Sequence, residues 1–408
     1  MSLRFLKISS YYRGFLDDYL TRNPQVKSLS YQAQHVHLMQ QYFAWSDNYG
    51  RLLAAKGLET MEIVGNAGWM QKSWARENGL NSSASQEEIV LNQILKFQPN
   101  IIYFQDSITY NGRWIQLLRS KLPELKLVIG NLCAPFGSAQ IDSFKAFDYF
   151  TVCSSFFKHQ LAKYQIDSVN IAHAFDRRIL DHLGNDNPYP QTPLVFLGSI
   201  IADEGFHALR RQVLEELVIG NIPFEFYGNL PDRSLIGLWK KQASFLTSHW
   251  LDAIGLQSVT DHIPTIRKGR SHNTMPKGLQ ISPQLYKMAR QPLFGLEMFK
   301  ALSRAQIGFN IHLDCAGDYA ANMRLFETTG VGTCLLTDRK SNLKDFFVED
   351  EEVVTYGSAG ECLEKIRWLI DHPDRCRTIA LNGQKRTLEQ HNFENRVDQF
   401  YQYMMKRL

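Results

Sequence analysis

The segment from Ala305 to Tyr356 restricts the possible folds of this chain more than any other. An apolar run at 306–311 predicts a strand, a polar loop follows it, and residues from about 320 to 330 have a helical pattern. Glycines end that helix, and Thr333 to Thr337 is short and apolar enough to be a buried strand. Strands and helices that alternate in this way predict an α/β fold with a parallel, doubly wound sheet.

Charged residues lie where such a sheet binds ligands. His312 and Asp314 follow the first strand, and Arg324 and Glu327 lie one turn apart on the predicted helix. Ligands bind at the carboxyl ends of parallel strands, where helix N-termini present free N–H groups. We therefore expect a phosphate at this edge, with Glu327 near a sugar hydroxyl. The alternative is a surface ion pair between Arg324 and Glu327, worth about 0.2–0.5 kcal/mol.

The first half of the chain shows the same alternation. Strands are predicted at 4–9, 61–64, 100–105, 126–130, 149–153 and 168–172, and helices at 30–56, 87–97 and from 156 onward. Five or six strands that alternate with helices imply a second parallel sheet. No GxGxxG or GxxxxGK[ST] motif occurs there, so a conventional dinucleotide site or P-loop is not expected.

Polar residues that follow these strands are candidates for acceptor binding and base chemistry. They are Tyr12, Arg13, Asp106, Asn131, Ser154 and His173. We predict Asp106 as the general base, because a carboxylate at the mouth of a central strand is accessible and partly desolvated. Helix capping and turn formation are the alternative explanations for each of these residues.

A segment rich in Asn, Asp, Pro and Gly, from Asp176 to Pro193, predicts a linker between two domains. The strands predicted after it, at 194–198 and 224–227, end in the turns Gly198-Ser199 and Gly228-Asn229. Near the C-terminus, four apolar residues repeat at helical spacing: Phe393, Val397, Phe400 and Met404. We predict one domain at 1–176, a second at 193–390, and a terminal helix at 391–408.

The composition agrees with a globular protein of two domains. The 408 residues suffice for two cores, and 44% are apolar and 21% charged. The net charge of +4 excludes neither an anionic ligand nor an anionic membrane surface. In the basic segment Ile266 to Gly278, the basic residues are not interleaved with aromatic ones, so no nucleic-acid partner is expected. The sequence has no apolar run that could span a bilayer and no signal peptide at its start, which predicts a cytoplasmic protein. Peripheral contact with a membrane is left open.

The six cysteines form no CxxC pair, and buried reduced thiols are expected rather than disulfides or a zinc site. No DxD motif flanked by apolar strand residues is present, and the spacing of Asp314 and Asp318 matches it poorly. We therefore expect neither a metal nor a cofactor.

The pattern RLFETTGVG at 324–332, followed by LLTD at 335–338 and EVVTY at 352–356, resembles the C-terminal half of the CgeB-like glycosyltransferases. These belong to the GT-B superfamily, with a C-terminal domain of the glycosyl transferases group 1 type. The resemblance extends from about Pro193 to the C-terminus and is looser over the first half. It implies two Rossmann-like domains that face a cleft, with the last helix crossing back onto the N-terminal domain.

The resemblance also implies an activity: metal-independent transfer of a sugar from a nucleotide-diphosphate sugar to an acceptor. In the family, the glutamate at the position of Glu327 holds the ribose of the donor, and Arg324 would stabilise the leaving diphosphate. The donor-binding residues implied are Gly198, Ser199, Gly228, Asn310, His312, Asn322, Arg324 and Glu327. The acceptor-side residues are Tyr12, Arg13, Asn131 and His173, with Arg324 and Asp106 as the catalytic residues.

Several alternatives stay open. Many retaining GT-B enzymes carry another glutamate eight residues before the ribose glutamate, where this chain has Tyr319, so inversion or retention is undecided. The acceptor is a glycan, a lipid-linked molecule or a small molecule. A nucleotide-sugar epimerase of the same architecture, or a non-catalytic nucleotide-sugar-binding protein, would show similar patterns.

Overall fold

The computed structural model describes residues 3–81, 83–184, 190–200, 208–231, 234–270, 274–276, 281–312 and 316–408. Within these ranges, twelve strands form two sheets of six, and every pairing between them is parallel. The first sheet contains β1 (Arg4–Ser9), β2 (Glu59–Val64), β3 (Ile101–Phe104), β4 (Leu127–Leu132), β5 (Tyr149–Val152) and β6 (Ser168–Asn170). The second contains β7 (Thr192–Leu197), β8 (Glu225–Tyr227), β9 (Ala289–Arg290), β10 (Ala305–Asn310), β11 (Cys334–Asp338) and β12 (Val354–Tyr356).

The strand orders are β2-β1-β3-β4-β5-β6 and β12-β11-β10-β7-β8-β9. Parallel sheets need helices on their faces, and the strands accordingly read as continuous apolar runs, with all four residues of β3 buried. The helices of the first half are α1 (Arg13–Arg22), α2 (Tyr31–Met39), α3 (Asn48–Ala54), α4 (Gly68–Glu77), α5 (Gln86–Phe97), α6 (Gly112–Lys121), α7 (Ser138–Phe144) and α8 (Ser155–Ala162). This architecture confirms the predicted α/β class.

In the second half, the described residues form ten further α-helices. They are α9 (Ala208–Ile219), α10 (Leu235–Ala253), α11 (Gln257–His262), α12 (Pro264–Arg270), α13 (Pro283–Met288), α14 (Gly295–Ser303), α15 (Arg324–Gly330), α16 (Ala359–Asp371), α17 (Pro373–Gln390) and α18 (Phe393–Met405). Short 3-10 helices occur at Pro24–Ser28, Arg177–His182 and Leu343–Asp345. Among the residues described, no helix combines the length and the apolar character that crossing a membrane requires.

The prediction of one helix at 30–56 was wrong, because the chain forms α2 and α3 with an irregular segment between them. Tyr42, Ala44 and Ser46 in that segment have φ angles of 53°, 53° and 44°, in the left-handed region that interrupts a helix. The Ser46 hydroxyl donates to the carbonyl oxygen of Met39 at 2.6 Å, which satisfies a carbonyl at the end of α2.

The helix predicted from about 320 was also wrong at its start, because α15 begins only at Arg324. The side chain of Asn342 accepts from the backbone N–H of Ala320 at 2.6 Å and donates to its carbonyl oxygen at 3.1 Å. Both backbone groups of Ala320 are therefore used outside a helix, and the segment before Arg324 stays irregular.

Helix α18 packs on the first sheet, although it follows the second in sequence. Phe393, Val397, Phe400 and Met404 are at most 3% exposed and share a core cluster with Phe5, Tyr49 and Tyr103. Where the chain enters α18, Phe175 and the segment 391–393 exchange backbone hydrogen bonds, from Phe175 N to His391 O at 2.9 Å and from Phe393 N to Phe175 O at 3.2 Å. The limits predicted for the two domains stay predictions.

Loops at the carboxyl ends of the two sheets contact each other. Ala316, in the loop after β10, is buried in a core cluster of the first sheet, and the rings of Tyr319 and Phe156 lie 6.4 Å apart. Phe156 belongs to α8 of the first half. The carboxyl edges of the two sheets are therefore brought close to each other.

Candidate functional site

The carboxyl end of β10 carries a buried polar network. Asn310, its last residue, donates from Nδ2 to Thr337 Oγ1 at 2.9 Å and accepts at Oδ1 from Asn322 Nδ2 at 2.8 Å. Oδ1 of Asn322 is buried, and no described residue donates to it. Two predicted donor-binding residues, Asn310 and Asn322, are therefore bonded to each other.

His312 forms a buried pair with Asp338 at the end of the neighbouring strand β11. Asp338 Oδ1 accepts from the backbone N of His312 at 2.8 Å and pairs with its Nδ1 at 2.7 Å. Burial alone would raise the pKa of the Asp338 carboxyl, but the hydrogen bonds from His312 lower it below its usual value. An ionised Asp338 fixes the proton on Nδ1, and Nε2 is left buried without a partner in the described chain.

Sequence reasoning missed Asp338 as a site residue and noted it only within the family pattern. Asp338 is the last residue of β11, and His312 follows β10. The sequence does not show that these two strands are neighbours, so the proximity of Asp338 to His312 appears only in the structure.

The glycine turns after β7 and β8 pack backbone to backbone. A Cβ atom on Gly228 would overlap the carbonyl oxygen of Gly198, so this close approach requires glycine. Ser199 Oγ accepts from the backbone N of Asn229 at 3.0 Å. The predicted residues Gly198, Ser199 and Gly228 thus form one compact corner of the second sheet.

Arg210 of α9 is a cation at this edge that the sequence did not indicate. Its Nη1 donates to the carbonyl oxygen of Ser199 at 2.7 Å and its Nη2 to that of Ile311 at 2.9 Å. It ties the loop after β7 to the loop after β10. An arginine in the first turn of an amphipathic helix carries no distinctive sequence signal, which explains why it was missed.

Arg324 and Glu327 form an ion pair with 2.9 Å between Nη1 and Oε2. Their side chains are only 18% and 10% exposed, so the pair is not an ordinary surface pair. Nη1 also contacts the sulfur of Met298 at 3.1 Å. Within the described chain, no other contact uses Nε or Nη2 of Arg324 or Oε1 of Glu327. The pair keeps donors and one carboxylate oxygen for a ligand.

Tyr12 precedes α1 in the first half, and its ring lies 5.6 Å from that of Phe43. Its side chain is 72% exposed. Partial enclosure by the protein, and then the negative charges of Glu327 and the Cys133 thiolate, raise the pKa of Tyr12. The charge of Glu327 on α15 therefore acts on a residue of the first half.

Asp106, the predicted base, caps a turn. Its Oδ1 accepts from the backbone N of Ile108 at 3.2 Å and of Thr109 at 2.9 Å. The capping explanation therefore holds, and the role as a base stays a prediction. Arg13 lies on the outer surface of α1 with its side chain 94% exposed, and it pairs with Asp17 at 3.5 Å.

The acceptor-side residues Asn131 and His173 lie beside two thiols. Asn131 Oδ1 accepts from Thr151 Oγ1 at 3.1 Å and from Cys133 Sγ at 3.7 Å. Cys133, Cys153 and His173 place their sulfurs and a ring nitrogen within 4.8 Å of one another. Burial would raise the pKa of the Cys133 thiol, but hydrogen bonds from Cys153 and His173 lower it to about 6.

Comparison with known proteins supports the architecture. Residues 277–402 match a protein family described as glycosyl transferase-like. No match is found among curated proteins. A glycosyltransferase from Rickettsia africae has a similar structure, with a TM-score of 0.53 and 10% identity over 100% of this chain and 98% of that chain.

Two further solved structures are similar. Sucrose-phosphate synthase from Thermosynechococcus elongatus gives a TM-score of 0.52 at 12% identity over 99% of this chain and 98% of that chain. Anabaena Alr3699/HepE in complex with UDP-glucose gives a TM-score of 0.53 at 9% identity, over 99% of this chain and 100% of that chain. Such identities establish the fold alone, and they confirm the predicted GT-B architecture.

Proposed function

We propose that this chain is a glycosyltransferase that moves a sugar from a nucleotide-diphosphate sugar to an acceptor held between the two sheets. The observation that carries the proposal is the largely buried Arg324–Glu327 pair, which lies in the segment matching the glycosyl transferase-like family. The 324–332 pattern supports a CgeB-like member of that class.

The geometry of the pair suits the two parts of such a donor. A guanidinium presents five N–H donors in a planar fork that matches phosphate oxygens, and Arg324 keeps Nε and Nη2 unused. The unused Oε1 of Glu327 suits the hydroxyls of a ribose. The structural similarity to a protein solved with UDP-glucose supports a nucleotide sugar as the donor.

The role of Arg324 in the proposed reaction follows from the charge that develops on the leaving diphosphate. When the bond between the anomeric carbon and the diphosphate breaks, negative charge grows on the diphosphate, and the guanidinium of Arg324 stabilises it in a partly desolvated site. Transfer in this proposal needs no metal at the diphosphate. Nε2 of His312, oriented by Asp338, would accept a hydrogen bond from a sugar hydroxyl. Asp106 would take the proton of the acceptor hydroxyl through Oδ2, because Oδ1 holds the turn.

A thermal-shift panel of nucleoside diphosphates, followed by product analysis with nucleotide sugars, tests this function. A ligand that binds only the folded state raises the melting temperature. The proposal expects such a rise, and sugar transfer that depends on an added acceptor. Conversion of the donor without an acceptor would instead indicate an epimerase, and binding without turnover would indicate a non-catalytic protein.

We further propose that helix α10 rests on the cytoplasmic surface of an anionic membrane, where a lipid-linked acceptor would be presented. Ile236, Trp239, Leu246 and Trp250 lie on one face of α10 and are 69%, 73%, 55% and 62% exposed. Exposed Lys240 flanks this face. A helix with exposed tryptophans beside a lysine is typical of binding within the interface of an anionic bilayer.

Co-sedimentation with vesicles tests the membrane contact. The chain should sediment with vesicles that contain anionic lipid, and the double variant Trp239→Ser/Trp250→Ser should stay in the supernatant. Trp368→Ser is the control, because Trp368 is 44% exposed on the separate helix α16. Equal sedimentation of all three proteins would refute a role for α10.

A further inference from the structure

Three side chains with metal-binding atoms meet at the carboxyl edge of the first sheet. Cys133 directly follows β4, Cys153 directly follows β5, and His173 comes three residues after β6. These strands are neighbours in the order β4-β5-β6. The two sulfurs and one imidazole nitrogen lie within 4.8 Å of one another. The order of the strands therefore brings together three residues that are far apart in the sequence.

The imidazole of His173 has an unmet hydrogen-bonding group. Its Nδ1 is buried, and no described residue bonds to it. A buried polar atom without a partner destabilises the folded state, so such atoms call for an explanation. The residue is otherwise well held, because its carbonyl oxygen accepts from Arg396 Nε at 3.3 Å and its ring lies 6.4 Å from that of Trp45. A metal ion bound to the ring nitrogen that lies beside the two sulfurs would hold the imidazole in this position.

The cluster differs from the other close pair of thiols in the described chain, Cys334 and Cys376. Those two also hydrogen-bond to each other, but they lie in the core of the second half without an imidazole beside them. At the first sheet, Cys153 is buried whereas Cys133 and His173 are half-buried. One side of the first cluster is therefore open, whereas the second pair is closed off.

We propose that Cys133, Cys153 and His173 bind one divalent ion of the zinc class, with a fourth position open to water or to a hydroxyl ligand. Two sulfurs and one imidazole nitrogen are borderline-soft ligands that select such ions over magnesium or calcium. Three protein ligands with one open position are the usual arrangement where zinc is not purely structural.

The geometry requires only a small adjustment. Zn–S distances of about 2.3 Å and Zn–N distances of about 2.0–2.1 Å place tetrahedral ligand atoms roughly 3.5–3.8 Å apart. The ligand atoms lie within 4.8 Å of one another and would have to approach by at most about 1.3 Å. Metal binding as a thiolate would remove the proton that Cys133 now donates to Asn131 Oδ1, and that oxygen would keep its hydrogen bond from Thr151 Oγ1. The proposed metal site is inferred from this geometry and does not depend on the proposed glycosyl transfer.

Titration of reduced, metal-free and untagged protein tests the site. Zn²⁺ is added in a calorimeter, and Co²⁺ in a spectrophotometer, where thiolate ligands give a charge-transfer band and a tetrahedral site gives visible d–d bands. We expect one ion per chain and both spectral features. Each of Cys133→Ser, Cys153→Ser and His173→Gln should weaken binding by more than the roughly 10- to 100-fold that loss of an outer-shell partner costs.

The matched control is Cys376→Ser, which removes one thiol of the other pair and keeps a donor for the carbonyl oxygen of Gln306. It should bind metal as the wild type does. X-ray absorption of the zinc-loaded wild type counts two sulfurs and one nitrogen even where a variant does not fold. The proposal is overturned if the wild type shows no cobalt–thiolate band, if none of the three ligand variants weakens binding, or if Cys133 and Cys153 form a disulfide in the presence of Zn²⁺.

Discussion

Asp106 shows how one side chain can serve the fold and still carry chemistry. Oδ1 holds the backbone of Ile108 and Thr109, and no described residue bonds to Oδ2. The residue lies after β3 and next to the end of β4, because Ser107 Oγ donates to the carbonyl oxygen of Asn131 at 2.9 Å. Capping of the turn alone would explain an aspartate at this position. A test of the role as a base therefore requires a substitution that keeps the cap and removes the base.

Asp106→Asn makes that separation. An asparagine keeps an Oδ1 that can hold the turn, but it cannot take up a proton as a base. We expect transfer to slow by roughly two to four orders of magnitude. The melting temperature and the affinity for nucleoside diphosphates should stay close to those of the wild type. The surface variant Asp142→Asn on α7 is the control, and near-normal turnover of Asp106→Asn would assign the base to another residue.

The sequence does not predict the partners of a charged residue that is buried. Lys7 lies in the middle of β1 and is only 1% exposed. Its Nζ pairs with Glu62 Oε2 at 2.9 Å and donates to the carbonyl oxygen of Ser46 at 2.5 Å. Burial raises the pKa of the Glu62 carboxyl, and the charge of Lys7 opposes that shift. Partners from β2 and from the turn after α2 cannot be identified from the sequence of β1 alone.

At the level of elements, the junction between α17 and α18 depends on a neutral histidine. His391 is 5% exposed, its Nε2 bonds to the carbonyl oxygen of Phe346 at 2.9 Å, and its Nδ1 accepts from Arg396 Nη2 at 2.9 Å. Burial, and then the charges of Arg396 and Arg386, lower the pKa of His391 to about 4. The folded state therefore takes up the His391 proton at lower pH than the unfolded state.

The pH dependence has a definite sign. His391 has a pKa near 6.5 in the unfolded chain and about 4 in the folded chain, so folding loses stability as the pH falls from 6.5 towards 4. The loss from this residue should approach about 3 kcal/mol near pH 4 and vanish above about pH 7. Urea denaturation between pH 7.5 and 4.5 measures it.

His391→Gln is the comparison, because its amide offers a donor and an acceptor but does not titrate in this range. The variant should lose less stability than the wild type on acidification. Part of the acid sensitivity should remain, since burial also lowers the pKa of His35 to about 4. Parallel pH profiles for the two proteins would show that His391 does not contribute.

Strands were easier to predict than helix ends. Each strand predicted in the two halves matches an observed strand to within about two residues, because a buried parallel strand is a continuous apolar run with turn residues on both sides. The two wrong helix limits, at 30–56 and near 320, depend on distant side chains. Ser46 folds back to Met39, and Asn342 occupies the backbone of Ala320. Helical spacing in the sequence does not contain that information.

At the level of the whole molecule, the order of strands decides which residues meet. The pair His312–Asp338 exists because β10 and β11 are neighbours, and the cluster of Cys133, Cys153 and His173 exists because β4, β5 and β6 are neighbours. Each residue could be identified in the sequence as polar and close to a strand end. Their partners could not, since parallel strands pair across long crossovers whose order the local sequence does not state.

The loop between β10 and α15 contacts the first half through Ala316 and Tyr319, and the proposed donor site follows it at the start of α15. Arg324 and Glu327 could be predicted from the helical spacing and the family pattern. An ion pair between them was anticipated only as a surface pair, and its burial could not be predicted. The proposed function therefore requires that this pair binds a nucleotide.

Calorimetric titration with a panel of nucleoside diphosphates tests that most directly, on the wild type, Glu327→Ala and the control Glu364→Ala, whose side chain is exposed on α16. Charge-assisted hydrogen bonds contribute about 1.5–3 kcal/mol, so Glu327→Ala should bind the preferred nucleotide about 10- to 100-fold more weakly. Glu364→Ala should bind it as the wild type does. Binding by Glu327→Ala that equals the wild type, or no binding of any nucleoside diphosphate by the wild type, would contradict the proposed donor site.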